Sequence, residues 1–360
     1  MPRETHKMDS FADGETPTTQ LMDPFLPESD IVKQLTSLIT STKVGKNIDD
    51  AKLILAAHPP ASATGAALRA SAWPMVTAAC AHDADMIALL LEHGFDFDSR
   101  HPSGGPSPAV FAAAHGDTAS LRLLLAAGCR VESVSHGEGL LLTAVDAGSE
   151  ACVAVLIAHG VDVNATSEQG AFPLAVAVDR GNASLIRQLV AAGADVNMAI
   201  SFKRGVTCAH LACARGDAEA LALLLAAGAD ADAVDAAGHT AAFSAAAEGH
   251  EACLVLLLAN GADPDRGATA YGFTPLHVAS ANGETGVVEL LLGHGADASI
   301  RSTRAFFDAP PGSTALSLAR TARGPNHARV VALLEGGGTA AATARASAAP
   351  AAASSAPAEP

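Results

Sequence analysis

Gly272-Phe273-Thr274-Pro275-Leu276-His277-Val278-Ala279, continued by Leu290-Leu291-Leu292-Gly293-His294-Gly295-Ala296-Asp297, is the stretch on which the reading of the chain turns. Thr274 carries a hydroxyl that can cap the orphan N–H groups of a helix, and Pro275 suits the first helical position. Gly295 ends a second apolar run, where glycine accepts the left-handed conformation that closes a last turn. Comparable runs end at Gly94, Gly128, Gly160, Gly193, Gly228 and Gly261. Together the seven glycines stand 34, 32, 33, 35, 33 and 34 residues apart, and a period near 33 marks a repeat array.

A second glycine lies twelve residues before each of the first: Gly116, Gly148, Gly181, Gly216, Gly249 and Gly283, with His82 in that place in the first unit. Two helices with glycine stops make each unit a helical hairpin. Ser107, Thr207, Thr240, Thr274 and Thr314 stand where a first helix needs its cap, and Pro108 and Pro275 follow at the first helical position. Trp73, Gly139 and Phe172 offer no such hydroxyl. Their helices are expected to be weaker by about 1 kcal/mol each, so the amino-terminal half should open more readily than the stretch Thr207 to Leu292. Ten or more polar residues separate the hairpins, as in Ala229 to His239 and Ala262 to Phe273, long enough for an extended turn that projects sideways as a finger.

On the opening stretch, and on Thr207-Cys208-Ala209-His210-Leu211-Ala212 with Leu223 to Asp230, the chain resembles the ankyrin repeat family. Seven units begin at Trp73, Ser107, Gly139, Phe172, Thr207, Thr240 and Thr274; an eighth, Thr314-Ala315-Leu316-Ser317-Leu318-Ala319, ends at Leu334 in variant form. The resemblance implies an all-α repeat solenoid, an ankyrin-like stack of helix-turn-helix units with projecting β-turn fingers. The expected layout is a flexible segment over 1–27, a degenerate helical capping unit over 28–66, the repeat array over 67–336, and a disordered Ala/Pro/Ser tail over 337–360.

Composition narrows the function. Aromatics make up 4% of the 360 residues, with one Trp and one Tyr, so the core must be aliphatic. Twenty-two basic against 38 acidic residues give a net charge of -16, which opposes the phosphate attraction that nucleic-acid binding uses. No uncharged apolar stretch is long enough to span a bilayer, and Met1 to Ser10 has no apolar signal region, so an intracellular protein, cytoplasmic or nuclear, is expected. Six cysteines without a C-x-x-C spacing give neither a disulfide framework nor a zinc ribbon.

The residues capable of chemistry fall into repeat registers. His210 and His277 occupy the position where, by resemblance, the ring bonds the turn backbone. His93, His159 and His294 precede helix-ending glycines, where a ring donor suits the last carbonyls. Cys152 and Cys253 fill one core register, while Cys208 and Cys213 are five apart and face different sides of one helix. Asp96, Asp162, Asp195, Asp230, Asp263 and Asp297 each open a turn, where a carboxylate accepts nearby backbone N–H groups. One carboxylate per repeat cannot converge on a substrate atom. With no G-x-S-x-G, H-E-x-x-H or phosphate-binding glycine loop, neither enzyme activity nor a cofactor or metal is expected.

Surface remains. Groove candidates precede the first-helix glycines: His115, Asp146, Asp179, Arg180, Arg215, Glu248 and Asn282. Finger candidates are the aromatic and basic tips Phe202, Lys203 and Arg204, Tyr271, and Arg301, Arg304, Phe306 and Phe307, residue types that dominate interface energetics. The last group lies in an insertion that stretches the cap-to-cap distance from Thr274 to Thr314 to 40 residues; Phe306 and Phe307 could equally fold back over the core. Two such tips about 30 Å apart suit a protein ligand. The resemblance implies a monomeric, non-catalytic scaffold that binds a partner protein through the concave groove and finger tips, or alternatively an adaptor recruiting substrates to the ubiquitin-proteasome system. It also places Asn164 and Asn197 at the finger position that an asparaginyl hydroxylase modifies in some family members.

Overall fold

The computed structural model describes residues 30–40, 46–98, 105–131, 139–200, 205–267, 272–304 and 310–336. The proposed flexible segment and tail, and the tip residues Phe202, Lys203, Arg204, Tyr271, Phe306 and Phe307, lie outside them. Helices α1 (Asp30–Thr40), α2 (Lys46–Ala57) and α3 (Ala63–Ala70) precede the array; α3, absent from the sequence reading, runs across the boundary drawn after residue 66. Seven hairpins follow: α4 (Trp73–Cys80) with α5 (Ala84–Glu92), α6 (Pro108–Ala114) with α7 (Thr118–Ala126), α8 (Leu140–Asp146) with α9 (Glu150–Ala158), α10 (Pro173–Arg180) with α11 (Ala183–Ala191), α12 (Cys208–Arg215) with α13 (Ala218–Ala226), α14 (Ala241–Glu248) with α15 (Glu251–Ala259), and α16 (Pro275–Asn282) with α17 (Thr285–Gly293). Unit eight pairs α18 (Ala315–Thr321) with α19, a helix over 327–336.

First helices stack on first helices from α1 through α4 to α18, and second helices stack likewise from α2 through α5 to α17. The two layers have different side chains for a physical reason. First helices must approach neighbours on both sides, and alanines such as Ala78, Ala112, Ala144, Ala177, Ala212, Ala245 and Ala279 are fully buried between them. Second helices fill the remaining space with one leucine register, Leu90, Leu124, Leu156, Leu189, Leu224, Leu257 and Leu291, all at 0% exposure. Burying each contributes about 1.5–3 kcal/mol. The result is one mostly aliphatic core running from Val32 to Leu334 that also takes in Phe95, Phe111 and Phe172, with Phe243, Phe273 and Leu318 as a small satellite cluster.

Capping is more varied than the sequence reading has it. Thr240 and Thr314 accept the N–H groups of Phe243 and Ser317 at 3.2 and 3.3 Å. Ser107 forms no such bond, because the Val110 N–H turns back to the carbonyl of Ser107 itself at 3.0 Å. The hydroxyls of Thr207 and Thr274 bond imidazoles instead. Trp73 is the first residue of α4 and Ala72 its cap; Ala72, Gly139 and Phe172 give no side-chain bond, yet α4, α8 and α10 form on burial. Second helices carry their own caps: Asp83, Asp117, Ser149, Asn182 and Asp217 each accept an N–H three residues on.

Between the helices of a unit the chain turns left-handed. His82 takes this conformation at φ 56°, the one non-glycine with positive φ among the described residues. Gly216, at φ 71°, is needed twice over: a Cβ there would stand 2.6 Å from Nδ1 of His250 in the next unit. The fingers are short turns. Between units four and five, β1 (Ala199–Ile200) pairs antiparallel with β2 (Val206–Thr207), and Val234 bridges Thr240 one finger later.

Candidate interaction face

Two buried histidines tie fingers to helices. Nδ1 of His210 accepts the Thr207 N–H at 3.2 Å and pairs with its hydroxyl at 2.8 Å. An accepting Nδ1 puts the ring proton on Nε2, which donates to the His239 carbonyl of the next finger at 2.9 Å. His277 repeats this with Thr274 and with the Ser313 carbonyl at 3.2 Å. Burial lowers the pKa of both rings, against the opposing pull of those backbone bonds and nearby carboxylates, so both act as neutral bridges. In unit six Phe243 stands in the histidine register, and the Thr240 hydroxyl reaches the Arg266 carbonyl at 3.1 Å instead.

The finger carboxylates are structural in two ways. Asp96, Asp162, Asp195, Asp230, Asp263 and Asp297 each accept the N–H two residues on at 2.9 Å. The residue two places later then accepts an N–H of the following finger: Asp98 from Arg130, Asn164 from Asp195, Asn197 from Asp230, Asp232 from Asp263 and Asp265 from Asp297, at 2.7–3.1 Å. Sequence reasoning missed this second rung, although its signal is visible as an Asp or Asn two places after the turn aspartate. The amides of Asn164 and Asn197 also donate to the Gly193 and Gly228 carbonyls. Asp235 braces the sixth finger: burial raises its pKa, but bonds from the N–H and ring of His239 and the N–H of Ala237 outweigh this and hold it below the usual carboxylate range.

Beside this ladder the first helices end in an exposed polar row. His115, Asp146, Arg180, Arg215, Glu248 and Asn282 are exposed and Asp179 is half-buried. The structure brings some together. Arg180 donates twice to Asp146 of the preceding unit, at 2.6 and 3.1 Å. Asn282 donates to the Ala247 carbonyl at 2.8 Å. His115 bonds the Phe111 carbonyl at 2.9 Å and meets His82 edge-on at 5.0 Å. Arg215 and Glu248 are exposed on adjacent units, with a guanidinium nitrogen of Arg215 3.9 Å from where a Cβ on Gly181 would stand. On the last finger Arg301 donates to the Gly312 carbonyl at 3.1 Å, bracing the insertion, while Arg304 is exposed. His93 and His294 bond the carbonyls four residues back, at 3.0 and 2.9 Å.

Among the described residues no three His, Cys, Asp or Glu side chains group as metal ligands, and no helix is long and apolar enough to cross a membrane. Burial pushes the thiols of Cys80 and Cys129 up to about 11 and that of Cys208 to about 12, far from a nucleophile's range.

The comparisons agree with the geometry. No curated protein matches the chain. The crystal structure of the human ASB11 ankyrin repeat domain is similar, with 29% identity and a TM-score of 0.54, covering 63% of this chain and 97% of that one. The sequence model described as ankyrin repeats (3 copies) matches residues 110–200 and 209–302, just over half of the chain. Repeat stacking, threonine and histidine bridges and finger ladder thus have one reading: the chain belongs to the ankyrin repeat family.

Proposed function

We propose that this protein is a non-catalytic scaffold that binds a partner protein through the concave groove and finger tips of its repeat array. Ankyrin repeats generally mediate protein–protein interaction. The observation that carries the reading is the exposed polar row at the ends of the first helices, supplied one or two residues before each glycine from His115 to Asn282. Because the chain is strongly acidic and Arg180 is engaged with Asp146, the solvent-facing cation of that row is Arg215, with Arg304 and the tip residues Lys203 and Arg204 on the fingers. These cations would orient an acidic segment of the partner. Phe202, Phe306, Phe307 and Tyr271 would supply its apolar anchors.

Capture from the native lysate tests this with three proteins: the wild type, a tip variant (Phe202, Arg204, Phe306 and Phe307 to Ala) and a groove variant (Arg215 and Glu248 to Ala). Loss of the same captured protein from both variants is the expected result. Retention by both refutes the site. The adaptor alternative is decided by the same capture, since it requires ligase or proteasome subunits to travel with the array, and the scaffold requires their absence.

A further inference from the structure

The two ends of the array are finished differently. At the carboxyl end, α18 and α19 carry exposed ion pairs, Arg320 to Glu335 and Arg329 to Glu289, while Leu316, Val331 and Leu333 pack back against the core. A terminal unit needs such a polar outer face in water, because no further repeat covers it. At the amino end, α1 turns Val32, Leu35 and Ile39 inward toward α4. Away from that face, a groove of about 640 Å³ runs between α1 and α2, lined by Lys33, Ser37 and Leu38 of the first and Asp50, Leu53 and Ile54 of the second. Leu53 is 70% exposed, against 40% for Val234 and 43% for Val255, the other large apolar residues exposed in the described chain. Ile31 and Ile48 of the same two helices pack against the core, whereas Leu38 and Ile54 are half-buried at the groove. This end has an apolar seam where the other has charge.

Two stretches of sequence outside the described residues differ in what they offer such a seam. The stretch 337–360 contains no Leu, Ile, Val, Met or aromatic residue, and it follows α19 at the far end of the stack. Immediately before α1, Leu21-Met22-Asp23-Pro24-Phe25-Leu26-Pro27 brings four large apolar side chains within six residues. Its reach is sufficient. From Asp30 to Ser37 α1 rises about 10 Å, and the five residues from Phe25 to Asp30 can span about 17 Å. Pro24 and Pro27 have no backbone N–H to leave unpaired, and Asp23 is opposite in charge to Lys33, the cation of the lining. A directly joined segment also acts at an effective concentration of about millimolar, which favours it over a second copy. We infer that residues 21–27 fold back along α1 as a strap, seating Phe25 and Leu26 against Leu38, Leu53 and Ile54 with Asp23 toward Lys33. The strap supplies the finished outer face that α1 and α2 lack.

Hydrogen exchange of the full chain, read peptide by peptide, tests this. Amides of residues 21–26 should exchange at least about tenfold more slowly than the rate for an unstructured chain of the same sequence. Leu53→Asp, a change at an exposed position, should abolish that slowing and leave α12 to α17 as in the wild type. Phe25→Ser combined with Leu26→Ser should speed exchange across α1 and α2 about tenfold, again sparing α12 to α17; Phe11→Ser, upstream of the strap, should change neither. Exchange of residues 21–26 at the unstructured rate in the wild type, or slowing that survives Leu53→Asp, would overturn the inference. So would a dimer in sedimentation that Leu53→Asp splits, since the groove would then belong to a second copy.

Discussion

Units five and seven and units one to three build the same hairpin by different means. Thr207 with His210 and Thr274 with His277 lock each first helix to its own cap and to the next finger. Units one to three have Ala72, Ser107 and Gly139 at the cap, none with a side-chain bond, and His82 in a left-handed turn. Yet Met75, Ala112 and Leu141 are as buried as their counterparts Ala209, Ala212 and Leu276. Packing alone is sufficient for the architecture; the polar bridges add rigidity and fix where a finger points. The contrast can be measured directly, because hydrogen exchange in the unmodified chain should show α12 and α16 better protected than α4, α6 and α8. Equal protection would abolish the contrast.

The largest single effect expected is at the bridge. His277→Ala strands the Thr274 N–H and the Ser313 carbonyl in a buried site and should cost about 3 kcal/mol, read from urea denaturation. A cost under 0.5 kcal/mol, the usual range for an unremarkable surface change, would show that the bridge adds nothing to packing. Acid should expose the same two residues. The folded pKa values of His210 and His277 lie below the unfolded value near 6.5, so the unfolded chain binds more protons and stability is lost as pH falls below about 6.5. Replacing both with Asn should flatten that decline; a decline of the same size would place its origin elsewhere.

Next comes the pair of glycines. Gly216→Ala adds a Cβ against His250 to a left-handed backbone and should cost about 2 kcal/mol, whereas Gly128→Ala, which meets nothing within 4 Å, should cost about 1 kcal/mol from conformation alone. Equal costs would remove the argument from close approach. Smallest and opposite in sign is His82→Gly, which relieves the left-handed strain at φ 56° and should stabilise by about 0.5–1 kcal/mol. Destabilisation there would mean that the contacts of His82 with His115 and Asp117 matter more than its backbone.

The period, helix ends and core registers were legible because each is set by local chemistry that recurs along the array: a glycine that must turn left and a leucine that must be buried in every one of seven units, and a hydroxyl near the helix start in four of them. What escaped the reading was set between units. The bond of Arg180 to Asp146 joins residues 34 apart, and nothing in either sequence context distinguishes an engaged arginine from a solvent-facing one such as Arg215. Ser107 has the right residue type for a cap, but the backbone carbonyl competes for the same N–H and wins. The groove and tip residues follow from a family resemblance, and contact with a partner leaves no trace in the period of a repeat.

The finger ladder also has a direction. Asp98, Asn164, Asn197, Asp232 and Asp265 all offer their oxygen toward the carboxyl end, and the following finger supplies the backbone N–H. Its two ends are therefore chemically unlike. Cutting on the carboxyl side of a unit leaves a side-chain acceptor, and cutting on the amino side leaves a main-chain donor; both face water at the exposed rungs. A chain emerging amino end first presents each newcomer with an acceptor already in place, so the array can grow by addition onto a finished edge, as a zip closes from its fixed end.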